Sequence, residues 1–280
     1  MTSASVGAAG RWFRWLCRSD RPRIRLFCFP HAGGTAGAYR TWSRLMPAGI
    51  DLLAARYPAR EDRFSESVPP SMADLVDELV AAMAPLCTVP VALFGHSMGS
   101  WVSWEVARRL SVSPGARPRL LLVSGQVAPH LVNPARYRFD TDEQLLDRLR
   151  QLGGTAEEIV AHPGMRQLVL PSLRGDYRLL RGYTPQPGAA PGRAGLLDVP
   201  VHAYGGAQDR EVPETGLAQW RTVTTGPFGH RVFPGGHFYL DDPCIQRDLL
   251  VDVAARLLDG AGSPSGTGPG GGGADRPAAS

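Results

Sequence analysis

Short runs of branched and aromatic residues alternate along the chain with longer stretches whose apolar residues recur at helical spacing. The short runs are bounded by Gly, Pro or Arg, which favours buried strands over pieces of helix. They predict strands at residues 24–29, 51–55, 89–94, 120–124 and 199–204. Helical spacing predicts helices between these strands, at residues 72–87 and 98–110. This alternation predicts an α/β fold, with a mostly parallel central sheet and helices on both faces.

Residues 133–183 depart from the alternation because they contain no strand candidate. Helical patterns cover residues 142–152, 156–161 and 165–181, with Gly and Pro between them. An ordinary pair of crossover helices would need fewer residues than this segment provides. We therefore predict a helical insertion, at about 133–183, that forms a lid over the site.

The two ends of the chain differ from the middle. Residues 259–280 are rich in Gly, Pro, Ser and Ala and lack the apolar side chains needed for a core, so they predict a disordered tail. Residues 1–21 are expected to form a partly ordered arm, in which Trp12, Phe13 and Trp15 could dock on the domain. The domain itself is expected to span residues 22–258.

Charge and cysteine content narrow the classes of function. A net charge of +4, from 30 basic and 26 acidic residues, is too small to indicate a nucleic-acid-binding face. Cys17, Cys28, Cys87 and Cys244 lack C-x-x-C spacing, which argues against a zinc site and against a disulfide framework.

The N-terminal apolar stretch is broken by Arg14, and no apolar run approaches the length of a membrane span. We expect a cytoplasmic protein with reduced thiols.

The strongest chemical signal is the segment Gly95-His96-Ser97-Met98-Gly99, which stands between a predicted buried strand and a predicted helix. A sharp strand-to-helix turn holds the central serine in a strained conformation and presents its hydroxyl at the sheet edge. The dipole of the following helix favours the negative charge that develops during attack on a carbonyl. This setting predicts Ser97 as a nucleophile; a glycine-rich turn without function is the alternative.

A serine hydroxyl becomes a good nucleophile only when a general base takes its proton. His237 lies in a glycine-rich loop near the C-terminus, where a Ser…Asp…His order along the chain places the base. His96 is next to Ser97, but its side chain must point the other way, so we expect a structural role. The other histidines are assigned to strands or their ends, to the lid or to a loop: His31, His130, His202, His162 and His230. A surface-loop histidine is the alternative for His237.

The acid that orients the base should follow the preceding strand. Asp209 comes a few residues after the strand at 199–204, at the carboxyl end of the sheet, as this role requires. Asp198 lies at the opposite end of that strand and could not reach the site. Glu211 is the nearest rival to Asp209.

Two backbone N–H groups should hold the oxyanion that forms during attack. One is expected at Met98, directly after the nucleophile. The other should come from the loop after the strand at 24–29, where glycines allow close approach of the backbone. Ala32 is the predicted donor in that loop, and a plain turn is the alternative.

Six segments of the chain resemble the type II thioesterases of polyketide and non-ribosomal peptide synthesis, which belong to the α/β-hydrolase superfamily. The resemblance spans nearly all of residues 11–258. The matching segments are RLFCFPHAGG at 25–34, YPAREDR at 57–63, GHSMG at 95–99, SGQVAPH at 124–130, LPSLRGDY at 170–177 and PGGHF at 234–238. Ala59 stands where that family usually has Gly, and Gln126 and Val127 replace an expected basic pair. These departures leave Ser97, Asp209 and His237 in place.

The resemblance implies a stand-alone hydrolase that removes aberrant or stalled acyl groups from the phosphopantetheine arms of acyl or peptidyl carrier proteins. Ser97 would attack the thioester, His237 oriented by Asp209 would act as base, and the N–H groups of Met98 and Ala32 would bind the oxyanion. The chemistry implies no metal or cofactor. An initial Met and the lack of a carrier domain in the chain favour the stand-alone type. Alternatives are an esterase, lipase or acyltransferase on the same fold, or a non-catalytic binding protein.

Overall fold

A β-sheet lies at the centre of the computed structural model. The structure describes residues 9–113, 115–153, 161–185 and 196–259. Within these residues the strands are β1 (Phe13–Cys17), β2 (Ile24–Phe29), β3 (Ile50–Ala55), β4 (Val91–His96), β5 (Leu120–Ser124), β6 (Val201–Gly206) and β7 (Phe228–Phe233). Their order across the sheet is β1-β3-β2-β4-β5-β6-β7. β1 runs antiparallel to β3, and all the other neighbours are parallel.

Helices pack on both faces of the sheet. The α-helices are α1 (Met72–Met83), α2 (Met98–Ser111), α3 (Asp142–Leu152), α4 (Pro163–Gly182), α5 (Glu214–Ala218) and α6 (Pro243–Asp259). Short 3-10 segments lie at Ala36–Arg44, Glu61–Arg63, Ala84–Leu86, Pro129–Leu131, Pro134–Tyr137, Gln219–Val223 and Tyr239–Asp241. None of the helices in the described ranges is long and apolar enough to cross a membrane. The predicted α/β class, with a mostly parallel sheet, is confirmed.

Strands β2 to β6 are buried on both faces, which explains why each reads as a mostly apolar run. Leu53 and Leu93 pack on the face covered by α1 and α2. Their neighbours Leu52 and Ala92 pack on the opposite face, against α6 and the segment Ala36–Arg44. The alternation of successive side chains along a strand therefore feeds two separate hydrophobic cores.

Two strands begin and end later than predicted, and proline explains the difference. The predicted strands at 89–94 and 199–204 are observed at Val91–His96 and Val201–Gly206. Pro90 and Pro200 have no backbone N–H to donate to a neighbouring strand, so pairing starts after them. Pairing then continues through the glycines at the carboxyl end, which carries both strands into the site.

Two edge strands were not predicted. β1 lies in the arm expected to be only partly ordered, and its pairing with β3 buries Trp12 and Phe13 to 4% and 1% exposure. β7 carries His230, which we expected in a loop; it pairs with β6 instead. Both strands mix charged and apolar residues because an edge strand has one side open to solvent, so neither produces a continuous apolar run. Residues 1–8 of the arm and residues 260–280 of the predicted tail lie outside the described residues.

The segment between β5 and β6 contains α3 and α4, which agree with the helices predicted at 142–152 and 165–181. Most of the helix predicted at 156–161 lies outside the described residues. α4 approaches the loop after β3 so closely that a Cβ on Gly175 would lie 2.4 Å from Cγ2 of Val68. This contact brings α4 over the carboxyl end of the sheet.

Candidate active site

Ser97 occupies the turn between β4 and α2, with φ 54° and ψ −121°. A residue other than glycine adopts such a positive φ at an energetic cost, and only when its surroundings hold it there. Part of that support is a hydrogen bond of 2.8 Å from the N–H of Ser97 to the carbonyl oxygen of Ser124 in β5. Ser100 adds to it, because its hydroxyl lies within hydrogen-bond distance of two carbonyl oxygens, of Gly95 at 2.8 Å and of Ser124 at 2.9 Å, and can donate its proton to either.

The two glycines of the Ser97 turn are required by space. A Cβ on Gly95 would lie 2.0 Å from the carbonyl oxygen of Gly99, and a Cβ on Gly99 would lie 1.9 Å from that of Phe29. Backbone atoms cannot rotate away as a flexible side chain can. The spacing of the glycines therefore reflects contacts between β2, β4 and the start of α2.

The structure brings Ser97, His237 and Asp209 together. Nε2 of His237 lies 3.0 Å from Oγ of Ser97, and its Nδ1 lies 2.8 Å from Oδ2 of Asp209. Asp209 belongs to the acid loop, residues 207–213, and His237 to the histidine loop, residues 234–238. Both side chains are buried, at 1% exposure for Asp209 and 6% for His237. The arrangement can pass a proton from the serine hydroxyl to an imidazole that a carboxylate orients.

Backbone contacts join the acid loop to the histidine loop. Gly206 ends β6 at a point where a Cβ would lie 2.2 Å from the carbonyl oxygen of Gly236. The N–H of Gln208 donates to the carbonyl oxygen of Gly235 at 2.9 Å, and the Gln208 side-chain oxygen accepts from the N–H of Gly235. The separation of base and acid is therefore fixed by the backbone as well as by their own hydrogen bond.

Glu211, the rival acid, binds two arginines instead of the histidine. Its carboxylate accepts from Arg136 at 2.6 Å and from Arg148 at 2.9 Å. The hydrogen bond from Arg148 lowers the pKa of Glu211. The N–H of Glu211 donates to Oδ1 of Asp209 at 2.9 Å, so this residue supports Asp209 through its backbone.

The His96 side chain forms a hydrogen bond to the neighbouring strand β5. Its Nδ1 lies 2.9 Å from Oγ of Ser124, which in turn lies 2.7 Å from the hydroxyl of Tyr239. The His96 ring packs 5.2 Å from the His237 ring. Burial, with the proximity of His237 and His31, lowers the pKa of His96 well below its usual value. A neutral His96 adds no positive charge next to the base.

His31 is the third imidazole of this cluster, 6.0 Å from His96 between ring centres. Burial first, and then the proximity of His237 and Arg60, lowers its pKa to about 4. His31 begins the loop in which we expect the second oxyanion donor. Its neutral state leaves that loop without a fixed charge next to the reacting serine.

The two predicted oxyanion donors come from the start of α2 and from the loop after β2. Met98 is the first residue of α2, so its N–H has no partner four residues earlier in the same helix. Ala32 follows β2 and lines the pocket that contains Ser97. The next peptide is anchored, since the N–H of Gly33 donates to Oδ2 of Asp176 in α4 at 2.7 Å.

The pocket at Ser97 has a wall supplied by the α3–α4 segment. The side chains of that wall are Arg148, Leu149, Leu152, Tyr177 and Leu180. Trp101 of α2 and Val127, which follows β5, also line the pocket, together with Glu211 of the acid loop. The lining is mixed, with aliphatic and aromatic surface beside charged and hydroxyl groups. Such a pocket suits a bound molecule that has both hydrocarbon and oxygen-containing groups.

Sequence reasoning missed Arg60 and Asp176, which form a buried ion pair next to the pocket. Both lay within segments quoted for the family resemblance, but neither had been assigned a role. They are separated by 116 positions along the chain. Within the described ranges, His, Cys, Asp and Glu nowhere form a group of three or more that could hold a metal ion.

Comparisons with known proteins cover the same region as the fold described above. The sequence model of the thioesterase domain family matches residues 24–251. The chain is 36% identical over 257 residues to thioesterase PikA5 of Streptomyces venezuelae, covering 91% of this chain and 89% of that protein. It is 32% identical over 236 residues to the gramicidin S biosynthesis protein GrsT of Aneurinibacillus migulanus, covering 84% and 90%. The solved type II thioesterase BorB, from the borrelidin biosynthetic cluster, aligns with a TM-score of 0.74 at 36% identity, over 88% of this chain and 97% of that chain.

Proposed function

The chain belongs to the thioesterase family, as a type II thioesterase of α/β-hydrolase fold, and from that premise we propose its substrate and mechanism. It hydrolyses acyl thioesters in polyketide or non-ribosomal peptide synthesis. We propose that its substrates are aberrant or stalled acyl groups on the phosphopantetheine arm of an acyl or peptidyl carrier protein. The observation that carries the mechanism is the pair of hydrogen bonds that His237 makes with Ser97 and Asp209.

The proposed first step is attack by Ser97. Its Oγ forms a bond to the thioester carbonyl carbon while Nε2 of His237, 3.0 Å away, takes the hydroxyl proton. Asp209 accepts a hydrogen bond from Nδ1–H, which leaves Nε2 free to act as base and stabilises the imidazolium that forms. The N–H groups of Met98 and Ala32 would hold the oxyanion.

The second step releases the pantetheine thiol and then the acyl group. Thiols ionise at a pKa of about 8.5, so the thiolate leaves readily, with a proton available from the His237 imidazolium. Water enters, gives its proton to His237 and attacks the acyl-serine carbonyl carbon. Collapse of this second intermediate releases a carboxylic acid and restores the hydroxyl of Ser97.

The pocket supports an acyl substrate. Leu149, Leu152 and Leu180 offer apolar surface to a hydrocarbon chain, and Arg148 and Tyr177 offer hydrogen-bond donors to chain oxygens. We propose that α3 and α4 serve as the lid predicted over this pocket. A covered pocket excludes bulk water and strengthens the interactions that stabilise the oxyanion.

We propose that the enzyme meets its carrier proteins in the cytoplasm. The four cysteines are all unpaired, and Cys244 is exposed. An exposed free thiol is better suited to a reducing compartment than to an oxidising one. The carrier is the proposed partner, and no nucleic acid or membrane enters the reaction.

The test compares acyl groups loaded on a carrier protein with matched oxyesters of the same acyl chain. We expect faster release from the carrier thioester, and loss of at least about 10³-fold in kcat when Ser97 is replaced by Ala. A fluorophosphonate should label the wild-type protein at Ser97 and leave the variant unlabelled. Preference for the oxyester would instead identify an esterase or lipase, and no labelling of folded protein would contradict the serine mechanism.

A further inference from the structure

Asp176 of α4 joins the predicted lid to the predicted oxyanion loop. Its Oδ2 accepts a hydrogen bond of 2.7 Å from the N–H of Gly33 and another of 2.7 Å from Nη1 of Arg60. Its Oδ1 accepts from Nη2 of Arg60, also at 2.7 Å. The two side chains are only 1% and 3% exposed. One carboxylate thus satisfies a guanidinium and a loop peptide together.

The surrounding backbone is shaped around Arg60. Its neighbours Ala59 and Glu61 both have positive φ, at 63° and 51°. Arg60 also donates to the carbonyl oxygens of Gly34 at 3.0 Å and Pro58 at 2.9 Å. Such strain persists only where the surroundings determine the conformation, and a buried bidentate ion pair supplies that determination.

Gly33 is the residue of the oxyanion loop that contacts α4. Its φ is 75°, and a Cβ at this position would lie 3.0 Å from Cδ1 of Leu173, one turn before Asp176. The N–H of Gly34 donates back to the carbonyl oxygen of His31 at 2.9 Å, which closes the turn around Ala32. The hydrogen bond from Gly33 to Asp176 is the contact by which the helix fixes this turn.

We infer that Asp176 is a positioning residue that holds the loop of residues 31–34 so that the N–H of Ala32 faces the oxyanion. This inference rests on the proposed function, since it needs Ala32 to act as a donor. Oxyanion donors help catalysis only when they are aimed in advance at the place where charge develops. Because α4 also supplies Tyr177 and Leu180 to the pocket, the same helix covers the acyl chain and sets the oxyanion loop.

Two double variants with side chains of similar shape at position 176 test whether Asp176 acts by accepting the hydrogen bond from Gly33 or only by pairing with Arg60. Asp176→Asn with Arg60→Met removes both charges but keeps a carbonyl oxygen that can accept from Gly33. Asp176→Leu with Arg60→Met removes the charges and the acceptor, while Leu matches Asn closely in shape. We expect the Leu variant to have a kcat about 10- to 100-fold lower than the Asn variant, with KM within about 2-fold. An alkyl boronic acid, which mimics the tetrahedral intermediate, should bind more weakly by a matching factor.

Equal kcat and equal boronate affinity in the two folded variants would overturn the inference. If the Leu variant does not fold, Asp176→Ser with Arg60→Met replaces it, because the serine hydroxyl is too short to reach Gly33; wild-type kcat in that variant would also overturn the inference. Arg174→Ala is the control, since Arg174 joins α4 to Asp142 through an exposed ion pair away from the loop and its loss should leave kcat unchanged. An activated oxyester substrate uses the same oxyanion loop, so a failure of the carrier-thioester proposal would be distinguishable from a failure here.

Discussion

Nδ1 of His237 lies 2.8 Å from Oδ2 of Asp209. Glu211 is two residues further along the chain, and its carboxylate binds Arg136 and Arg148 instead of the histidine ring. The two carboxylates of one loop therefore have different tasks. We propose that Asp209 orients the base, whereas Glu211 binds Arg136 and Arg148, which also line the pocket. This division can be tested by neutralising each in turn.

Asp209→Asn should lower kcat by about 10³- to 10⁴-fold, because the neutral amide no longer stabilises the imidazolium and its NH2 group can donate to Nδ1, which leaves the ring proton on Nε2, where the base must be free. Glu211→Gln should lower it less than about 10-fold, because the backbone N–H that supports Asp209 is unchanged. Steady-state hydrolysis of one acyl thioester by both variants gives the comparison. A larger loss in the Glu211 variant would reverse the assignment of the acid.

Stability should fall as the pH drops from about 7 towards 4, in part because of His202. Burial, together with the nearby Arg256, lowers its pKa in the folded protein to about 4, whereas an unfolded histidine titrates near 6.5. Between these values the unfolded chain binds a proton that the native state does not, so acid favours unfolding.

His202→Gln should therefore show a smaller loss of stability between pH 7 and pH 4.5 than the wild type. Urea unfolding at several pH values measures it, with the same buffer ionic strength throughout. If the free energy of unfolding changes equally with pH in the two proteins, His202 does not contribute to the pH dependence of stability. The residue is on β6, away from Ser97, so the experiment does not depend on activity.

Ala59→Gly should stabilise the protein by up to about 1 kcal/mol, since φ at this position is 63° and glycine adopts that conformation without a Cβ penalty. Ala81→Gly is the matched control, at an exposed position inside α1. There the same change should cost about 1 kcal/mol. Chemical denaturation of both variants should give opposite signs, and a loss of stability in both would contradict the strain at Ala59.

Gly99→Ala should destabilise the fold by about 3 kcal/mol or more and abolish activity, because the new Cβ would meet the backbone of Phe29 at 1.9 Å. Gly182→Ala has no atom within 4 Å of its new Cβ and lies at the end of α4. That control should be neutral or slightly stabilising. Thermal melting of the two proteins distinguishes a packing requirement at Gly99 from a general intolerance of substitution.

Much of the fold and the three residues joined by hydrogen bonds could be predicted because their signals are local. Ser97 is marked by its strand–turn–helix setting and Asp209 by its place after the predicted strand at 199–204. His237 is marked by its glycine-rich loop and by the Ser…Asp…His order along the chain. β1 and β7 escaped prediction because edge strands lack a continuous apolar run. The Arg60–Asp176 pair escaped because a charged residue in a loop and another in an amphipathic helix both look solvent-exposed until the tertiary structure brings them together.

The hydrogen bond from the N–H of Gly33 to Asp176 has a consequence for the exchange of segments between relatives, where the aim is to change which acyl chains they release. A transplanted α3–α4 segment would bring its own residue at position 176. That residue would contact loops of the host protein that are matched to a different residue at this position. Chimaeras should therefore keep activity when position 176 and the loop containing Arg60 are moved together, and lose turnover when they are parted. In such exchanges α4 and the loop containing Arg60 should be moved as one unit, although they are far apart in the sequence. The α3–α4 segment alone is not sufficient.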